Sequence, residues 1–331
     1  MLPSLSDLLA TARVVDLPLR SRFRGIDRRE ALLLEGPHGF TEFSPFTEYG
    51  DAEATAWLAA AIDFGWRDAP PALRQSIAVN ATLPAVMPDQ VDAVLDSFGS
   101  CRTVKVKVAE PGQTLADDVA RVSAVRARLG PEGRIRIDAN GAWNVDEAEH
   151  AVHALAPYDL EYIEQPCATI EELGELRTRV KYMGIPIAAD ESVRKAADPL
   201  AVARAGAADL LVIKVQPLGG VHAALAIASE AGLPVVVSSA LETAVGLGMG
   251  LQLAASLPML EFDCGLATSA LFVDDVTDDR PIAENGELAV RRFVPAPRLL
   301  SQYAATPERS EWWLARLRRC YDLLDAGQGG G

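Results

Sequence analysis

Six short apolar runs in the middle of the chain each end on a charged or polar residue that a hydrophobic strand does not need for its own stability. TVKVKV ends at Lys107 and Val108, RIRID at Asp138, EYIE at Glu164, IPIAAD at Asp190, LLVIK at Lys214, and PVVVSS at Ser238 and Ser239. From Asp138 onward, Glu164, Asp190, Lys214 and Ser238 follow at intervals of 26, 26, 24 and 24 residues. Such an interval holds one strand, one helix and two loops. In a barrel of parallel strands the C-terminal strand ends converge on one rim. Three carboxylates would meet there, with a lysine on either side.

Three acids close together repel and raise one another's pKa unless a cation stands among them. Oxygen ligands without His or Cys select a hard ion, Mg2+ or Mn2+, over zinc. A lone Asp in such a place is commonly the N-cap of the next helix; three at one period are better explained as a ligand set. A lone strand-end lysine is usually solvated or paired, but two flanking a carboxylate trio ask for another reason. Out of water and near a divalent ion, a lysine's ammonium form is disfavoured, which brings it into the range of a base. The ion would bind a substrate carboxylate and stabilise the dianion formed when a lysine takes the α-proton. Each lysine would face one side of the planar intermediate.

To converge on a rim these residues need βα repeats, and the flanking sequence supplies them. SIAVNATLP reads as an apolar strand ending in polar Asn80 and Thr82, MPDQVDAVLDSF as a short helix, and TVKVKV as the second strand. LADDVARVSAVRARLG puts Leu115, Val119, Val122, Val125 and Leu129 on one stripe closed by Gly130. Asn144 stands where the helix in NVDEAEHAVHALAPY needs its N-cap. Helices are expected near TIEELGELRTRV, DPLAVARAGA, GVHAALAIASEAG and ETAVGLGMGLQLAASLP, and the eighth strand near LEFDCG. Strands alternating with helices imply a parallel sheet, and eight of them its closure into a (β/α)8-type barrel of α/β class. Residues 73–284 are assigned to this catalytic barrel.

Residues 1–72 read instead as an α+β capping domain. VVDLPLR, REALLLEG and FTEFSPF suggest an antiparallel meander turning at Gly25, Gly36-Pro37 and Gly39. Ala54, Trp57, Leu58, Ala61 and Ile62 recur at helical spacing, for one or two helices, before Pro70 and Pro71 break the pattern. Residues 285–327 are expected to complete the cap. ENGELAVRRF would be a hairpin-like return to it, and SEWWLARLRRCYDLL a last helix with Trp313, Leu317, Tyr321 and Leu324 on one face.

At 331 residues the chain suits a barrel plus one added unit, and 49% apolar residues are ample for the core. A net charge of -15 sets it against nucleic acid and anionic membrane surfaces, which would repel it. Cys101, Cys167, Cys264 and Cys320 lie far apart with no CxxC pair, the usage of a reduced, cytoplasmic compartment. The opening MLPSLSDLLATARVVDLPLR lacks a basic n-region followed by an apolar h-region, so no signal peptide is expected. No run approaches the roughly 18 apolar residues of a membrane span. The Gly-rich end GQGGG is expected to form a disordered tail.

Lys105-x-Lys107, Asp138-Ala139-Asn140, Glu164-Gln165-Pro166, Asp190-Glu191-Ser192 and Lys214-Val215-Gln216 resemble, in order, the motifs of the enolase superfamily in its muconate-lactonizing-enzyme subgroup. The resemblance covers nearly the whole chain. It implies a modified TIM barrel under an α+β N-terminal capping domain, Mg2+ (or Mn2+) held by Asp138, Glu164 and Asp190, and catalysis by Lys107 and Lys214. His38, His150, His153 and His222 fall outside the positions expected of a histidine base. Within the subgroup, FRGIDRREALLLEG, GFTEFSPF, PLGG, SSALETAVG and CGLATSALF are similar to the o-succinylbenzoate synthases of actinobacterial type. That implies Mg2+-dependent syn-dehydration of 2-succinyl-6-hydroxy-2,4-cyclohexadiene-1-carboxylate to 2-succinylbenzoate, in menaquinone biosynthesis. Lys107 would take the α-proton and then protonate the departing hydroxyl on the same face. Lys214 would stay charged beside the enediolate, able to make a cation–π contact with the ring.

Around this centre the resemblance puts Asn140, Gln165 and Glu191 behind the ligands, orienting them. Two readings stand for Lys105: it sits beside Lys107 and depresses its pKa, or it is salt-bridged to a neighbouring acid. Two stand for Ser238 and Ser239: they donate to the succinyl carboxylate, or they only cap the helix in ETAVGLGMG. Arg22 and Arg24 precede Gly25 in a cap loop placed to close over the site, although a solvated arginine is the ordinary case. Cys264 and Gly265, at the end of the eighth strand, are expected to line the pocket. The same two lysines would serve an N-succinylamino acid racemase or related epimerase, so the motifs leave that reaction open. Glu261-Phe262-Asp263 lacks the Asp-x-Asp with which a dipeptide epimerase binds an amine, and a non-catalytic binding barrel has no need of both lysines. The expected partner is a small-molecule carboxylate substrate, and the expected assembly a monomer or small homo-oligomer.

Overall fold

The computed structural model describes residues 2–195 and 197–328. It opens with a helix absent from the sequence reading, α1 (Leu5–Thr11), whose first turn is capped by Ser4 Oγ accepting from Asp7 N at 3.2 Å. Strands β1 (Arg13–Phe23), β2 (Ile26–Gly36) and β3 (Gly39–Phe43) form the antiparallel meander in that order. Arg24 and Gly25, both at positive φ (49° and 79°), reverse the chain so that Phe23 faces Ile26. One helix follows, α2 (Asp51–Trp66), burying Ala54, Trp57, Leu58, Ala61 and Ile62. It runs so close to the hairpin of β2 and β3 that a Cβ on Gly36 would lie 2.3 Å from the Gly65 carbonyl oxygen. Only glycine fits there.

The repeats then run β4 (Ser76–Ala78), β5 (Ala81–Leu83), α3 (Val91–Asp96), β6 (Thr103–Lys107), α4 (Leu115–Leu129), β7 (Arg134–Asp138), α5 (Val145–Leu155) and β8 (Leu160–Glu164). They continue with α6 (Ile170–Val180), β9 (Ile187–Ala189), α7 (Glu191–Arg194), α8 (Ala201–Arg204), β10 (Leu210–Ile213), α9 (Val221–Ala231), β11 (Val235–Val237) and α10 (Ala244–Ser256). Strands β5 to β11 form one parallel sheet in chain order. Thr114, Asn144 and Thr169 cap α4, α5 and α6 in reciprocal capping boxes with Asp117, Glu147 and Glu172. The helix starts are therefore written locally. On α4, Val122 and Val125 of the expected stripe are fully buried, and a buried Arg121–Asp118 pair lies beside them.

Four expectations are corrected. The single strand expected over SIAVNATLP is two: β4 pairs antiparallel with β12 (Glu287–Ala289), and only β5 joins the barrel. The break is at Asn80, whose amide donates to Ala81 O and whose Oδ1 accepts from Arg136. The eighth strand shrinks to two parallel bridges, Cys264 to Val79 and Gly265 to Ser238, which still close the ring. The helix expected near DPLAVARAGA is the single turn α8, cut short by Gly206 at φ 62°. The C-terminal return meets β4 at the barrel, not the cap sheet.

After α11 (Pro297–Gln302), the last helix α12 (Pro307–Gln328) packs on α2. Its buried face is Trp313, Arg316, Leu317 and Cys320; Tyr321 and Leu324 are only half-buried, because the spacing of three, four and seven from Trp313 sets the stripe. The expected glycine tail begins inside α12, and residues 329–331 lie outside the described residues. Among the described residues no helix is long and apolar enough to cross a membrane, and all four cysteines are free.

The two-residue period of the strands sorts the barrel into an interior and a helix-facing layer. Tyr162, Ala188, Leu210, Val212 and Val236 form one buried cluster, separate from the large core that holds Ile163, Ile187, Leu211, Ile213 and Val237. Tyr162, Ala188, Val212 and Val236 each stand two positions before a strand-end residue: Glu164, Asp190, Lys214 and Ser238. The polar strand ends are therefore the next rung of the same inward-facing column.

Candidate active site

Lys107 pairs in register with Asp138, and Asp138 with Glu164, across β6, β7 and β8. Their side chains meet above the apolar cluster. Lys107 Nζ donates to Asp138 Oδ2 at 2.5 Å and to Asn140 Oδ1 at 2.7 Å. Lys105 Nζ reaches Glu164 Oε1 at 2.7 Å and Asp138 Oδ2 at 3.1 Å. Lys214 Nζ donates to Asp190 Oδ2 at 2.5 Å. Lys105 thus makes salt bridges to two acids.

Burial opposes ionisation throughout, and the neighbours decide the outcome. Burial would raise Asp138, but Lys107 and Lys105 outweigh it and hold the carboxyl well below the usual carboxylate range. Asp190 is held down in the same way by Arg194 and Lys214. Glu164 goes the other way: burial and the charge of Asp138 push its carboxyl up to about 7, against Lys105. Desolvation of Lys105 is overcome by Glu164 and Asp138, so its ammonium is held well above the lysine range. Lys214 is drawn down by burial, with Asp190 opposing.

The residues fit a hard divalent cation. Glu164 Oε2 is buried and has no hydrogen-bond partner, and Glu191 Oε2 is likewise buried and unpartnered. A buried carboxylate oxygen left without a partner, among three acids that offer only hard oxygen donors, is one a divalent cation could engage. As the side chains stand, no group of three or more His, Cys, Asp or Glu among the described residues is arranged to hold a metal ion. Ammonium groups of the lysines stand among the carboxylates as their counter-charge.

Behind the trio, Asn140 Nδ2 donates to Glu191 Oε1 at 3.2 Å and Asn140 N to Asp138 Oδ1 at 3.0 Å. Gln165 Oε1 accepts from Asp190 N at 2.9 Å and from Ser192 N at 3.2 Å, while its Nε2 donates to Ser192 Oγ and Cys167 O. Asn140 (φ 49°) and Gln165 (φ 37°) are left-handed residues other than glycine, as are Arg24 and Leu241 (φ 62°) on the cavity wall. Backbone strain of this kind collects at functional sites.

A small cavity, open to solvent, lies over the lysines and is lined by Phe23, Arg24, Phe46, Thr82, Lys105, Lys107, Asn140, Arg194, Lys214, Ser238, Ser239, Ala240, Leu241 and Thr268. Arg24, Ser238 and Ser239 thus come together with both lysines. The serines do not cap the following helix: Thr243 does, accepting from Val245 N, while Ser239 Oγ bonds Thr268 Oγ1 at 2.7 Å. Gly265 stands behind the wall, where a Cβ would lie 2.5 Å from Ser238 Oγ. Cys264 is fully buried at the barrel seam, and Arg22 donates only to Gly25 O in its own turn among the described residues.

Sequence reasoning missed Arg194, which carries Asp190, and the aromatic residues Phe23, Phe46 and Tyr49 that the cap brings down. The nearest signal was position: Arg194 is one helical turn after Asp190. Nothing local marked the cap aromatics.

Two family models match the chain, the enolase N-terminal domain-like model over residues 14–65 and the enolase C-terminal domain-like model over residues 86–295. The chain is 56% identical over 322 residues to an o-succinylbenzoate synthase of Mycobacterium marinum, covering 97% of this chain and 96% of that one. It is 53% identical over 323 residues to the o-succinylbenzoate synthase of Mycolicibacterium smegmatis, covering 97% and 98%. Among solved structures, a muconate lactonizing enzyme from Pseudomonas fluorescens complexed with muconolactone matches with a TM-score of 0.76 at 20% identity, over 89% of this chain and 98% of that one. An N-succinyl Arg/Lys racemase from Bacillus cereus matches at 0.74 and 18%, over the same shares. At those identities the structural likeness establishes the barrel-and-cap fold alone.

Proposed function

The chain belongs to the enolase superfamily, within its o-succinylbenzoate synthase family, and from that membership we propose the reaction and the part each residue plays in it. It is a carbon–oxygen lyase acting on a small molecule, and members of the superfamily use a divalent metal ion. The substrate is 2-succinyl-6-hydroxy-2,4-cyclohexadiene-1-carboxylate, which loses water to give 2-succinylbenzoate for menaquinone biosynthesis. One observation carries this reading: Lys107 and Lys214 line one cavity, each bonded to a different member of the carboxylate trio.

Asp138, Glu164 and Asp190 would hold Mg2+, or Mn2+. When bound, the ion supplies a Lewis acid that favours negative charge on the substrate carboxylate. Neutral Lys107 takes the proton from the carbon bearing the carboxylate, and the C–H electron pair moves into the carboxylate as an enediolate. That pair then returns to the ring and the C–O bond to the hydroxyl breaks. The hydroxyl takes the proton from Lys107 and leaves as water, so both events use one face. Lys214, held on Asp190, stays protonated on the opposite face and stabilises the enediolate. Lys105 keeps Glu164 and Asp138 neutralised. Arg24, Ser238 and Ser239 take the succinyl end, and Gly265 gives Ser238 its room. The unit of residues 1–72, completed by α11 and α12, closes over the barrel and excludes water.

The deciding assay incubates purified protein with the cyclohexadiene substrate and, separately, with a panel of N-succinylamino acids in D2O. Aromatic product with slow or no α-exchange on the amino acids is expected. Rapid exchange without dehydration would make the two lysines those of a racemase.

A further inference from the structure

We infer that Tyr49 and Arg194 form a strut that ties the position of the cap to the orientation of Asp190, making both positioning residues for the metal site. The inference rests on the reading of Asp190 as a metal ligand.

Arg194 is buried at the end of α7, and each of its three guanidinium nitrogens has a separate acceptor. Nε donates to Asp190 Oδ1 at 3.0 Å, Nη2 to Glu191 Oε1 at 2.5 Å, and Nη1 to the Tyr49 hydroxyl at 3.1 Å. The first two acceptors are barrel groups and the third belongs to the loop between β3 and α2. A planar guanidinium holds its donors in a fixed fork, so moving one acceptor tilts the bonds to the others. With Nε on Oδ1, the other oxygen of Asp190 faces Lys214. Arg194 therefore sets which oxygen Asp190 turns towards the cavity.

The Tyr49 end is itself fixed from the cap. Its ring packs against Phe46 and Trp57, with centroids at 5.6 and 6.1 Å. Arg316 on α12 donates to the Tyr49 and Phe46 carbonyls from behind, and Arg24 donates to the Tyr49 hydroxyl at 3.2 Å. Tyr49 is thus held at two points, its carbonyl by Arg316 of the C-terminal helix and its phenolic oxygen by Arg24 of the cap and Arg194 of the barrel. A continuous hydrogen-bonded path then leads from that oxygen to Asp190.

Three of the five N–H donors of Arg194 are taken by Asp190, Glu191 and Tyr49, one from each nitrogen. The role that fits is orientation.

The test uses the full chain, stripped of divalent ions and titrated calorimetrically with MgCl2, beside Tyr49→Phe, Arg194→Lys, their double variant and Asp190→Asn. Tyr49→Phe keeps the ring packing and loses only the hydroxyl; Arg194→Lys keeps a cation beside Asp190 but not the fork. Each should weaken Mg2+ binding by about tenfold, the low end for removing a partner behind a metal ligand. The double variant should be no weaker than the worse single variant, because one path is cut twice. Tyr49→Phe should leave the metal-free protein folded, with unchanged far-UV circular dichroism and a cooperative melt, which separates the strut from a general loss of structure. Wild-type Mg2+ affinity in Tyr49→Phe, or full additivity in the double variant, would overturn the strut while Asp190→Asn still abolishes binding. Wild-type affinity in Asp190→Asn would instead remove the reading of Asp190 as a ligand, and the strut with it.

Discussion

Lys107 and Asp138 face each other on the same rung of adjacent parallel strands, their side chains joined Nζ to Oδ2 at 2.5 Å. A proposed base therefore lies in contact with a proposed metal ligand, and against burial its charge helps hold the Asp138 carboxyl down. On the other side of the trio Lys214 and Asp190 make the same Nζ to Oδ2 contact at 2.5 Å, although they do not share a rung.

Replacing either lysine should stop turnover. Lys107→Ala and Lys214→Ala should each lower kcat by at least about a hundredfold, the low end for a positioned acid–base group in the first case and for a charge-stabilising donor in the second, with far-UV circular dichroism unchanged. Near-native rates in either variant would exclude that lysine from the mechanism.

Removal of divalent ions should act on rate and stability together. EDTA should abolish activity and lower Tm, and MgCl2 should restore both, because an ion bound only by the folded state stabilises it by mass action. Full activity in metal-free buffer is the contrary result.

The cap–barrel seam should carry a pH dependence. Glu42 accepts from Ser44 Oγ and Thr243 Oγ1, both at 2.6 Å, and from Gly246 N at 3.1 Å, yet burial and Glu242 push its carboxyl up to about 7. The folded chain therefore keeps a proton that the unfolded chain releases near 4.5. Between those values the native state holds more protons, so this group's contribution is greatest at low pH and falls as the pH rises towards 7. The loss should reach about 2–3 kcal/mol. Denaturant midpoints across this range should fall less steeply in Glu42→Gln than in the unaltered chain; equal slopes would rule Glu42 out as the source.

Gly265→Ala should disturb the site by overpacking its wall. The added methyl would lie 2.5 Å from Ser238 Oγ and 3.2 Å from Ser238 Cβ, forcing that side chain towards the cavity. A loss of about 1–3 kcal/mol in stability is expected, with KM raised more than kcat is lowered. An unchanged KM would separate Ser238 from substrate binding.

Much of this arrangement could be read from the chain itself. The alternation of apolar runs and amphipathic stripes, with Thr114, Asn144 and Thr169 at helix starts, predicts the order of strands and helices because each signal is local. Asp138, Glu164, Asp190 and Lys214 were legible as strand ends for the same reason. Where a strand's pairing depends on a distant partner, the reading failed. Asn80 splits one expected strand because Glu287–Ala289 returns to pair with the first half, and the eighth strand is reduced to two bridges, Cys264 to Val79 and Gly265 to Ser238, that close the ring.

By its own pattern, then, the sequence determined the repeat, its inward-facing columns and the polar residue that tops each one. Strand period and helix capping operate over a few residues, and the chain carries them wherever it goes. Only the tertiary structure decided what stands around those residues. The cap brings Phe23, Arg24, Phe46 and Tyr49 over a rim that begins dozens of residues later. The barrel turns Arg194 towards both Tyr49 and Asp190. It also leaves one oxygen of Glu164 buried without a partner. Contacts between groups remote in sequence, and the charge balance that burial imposes on them, exist only once the chain has closed.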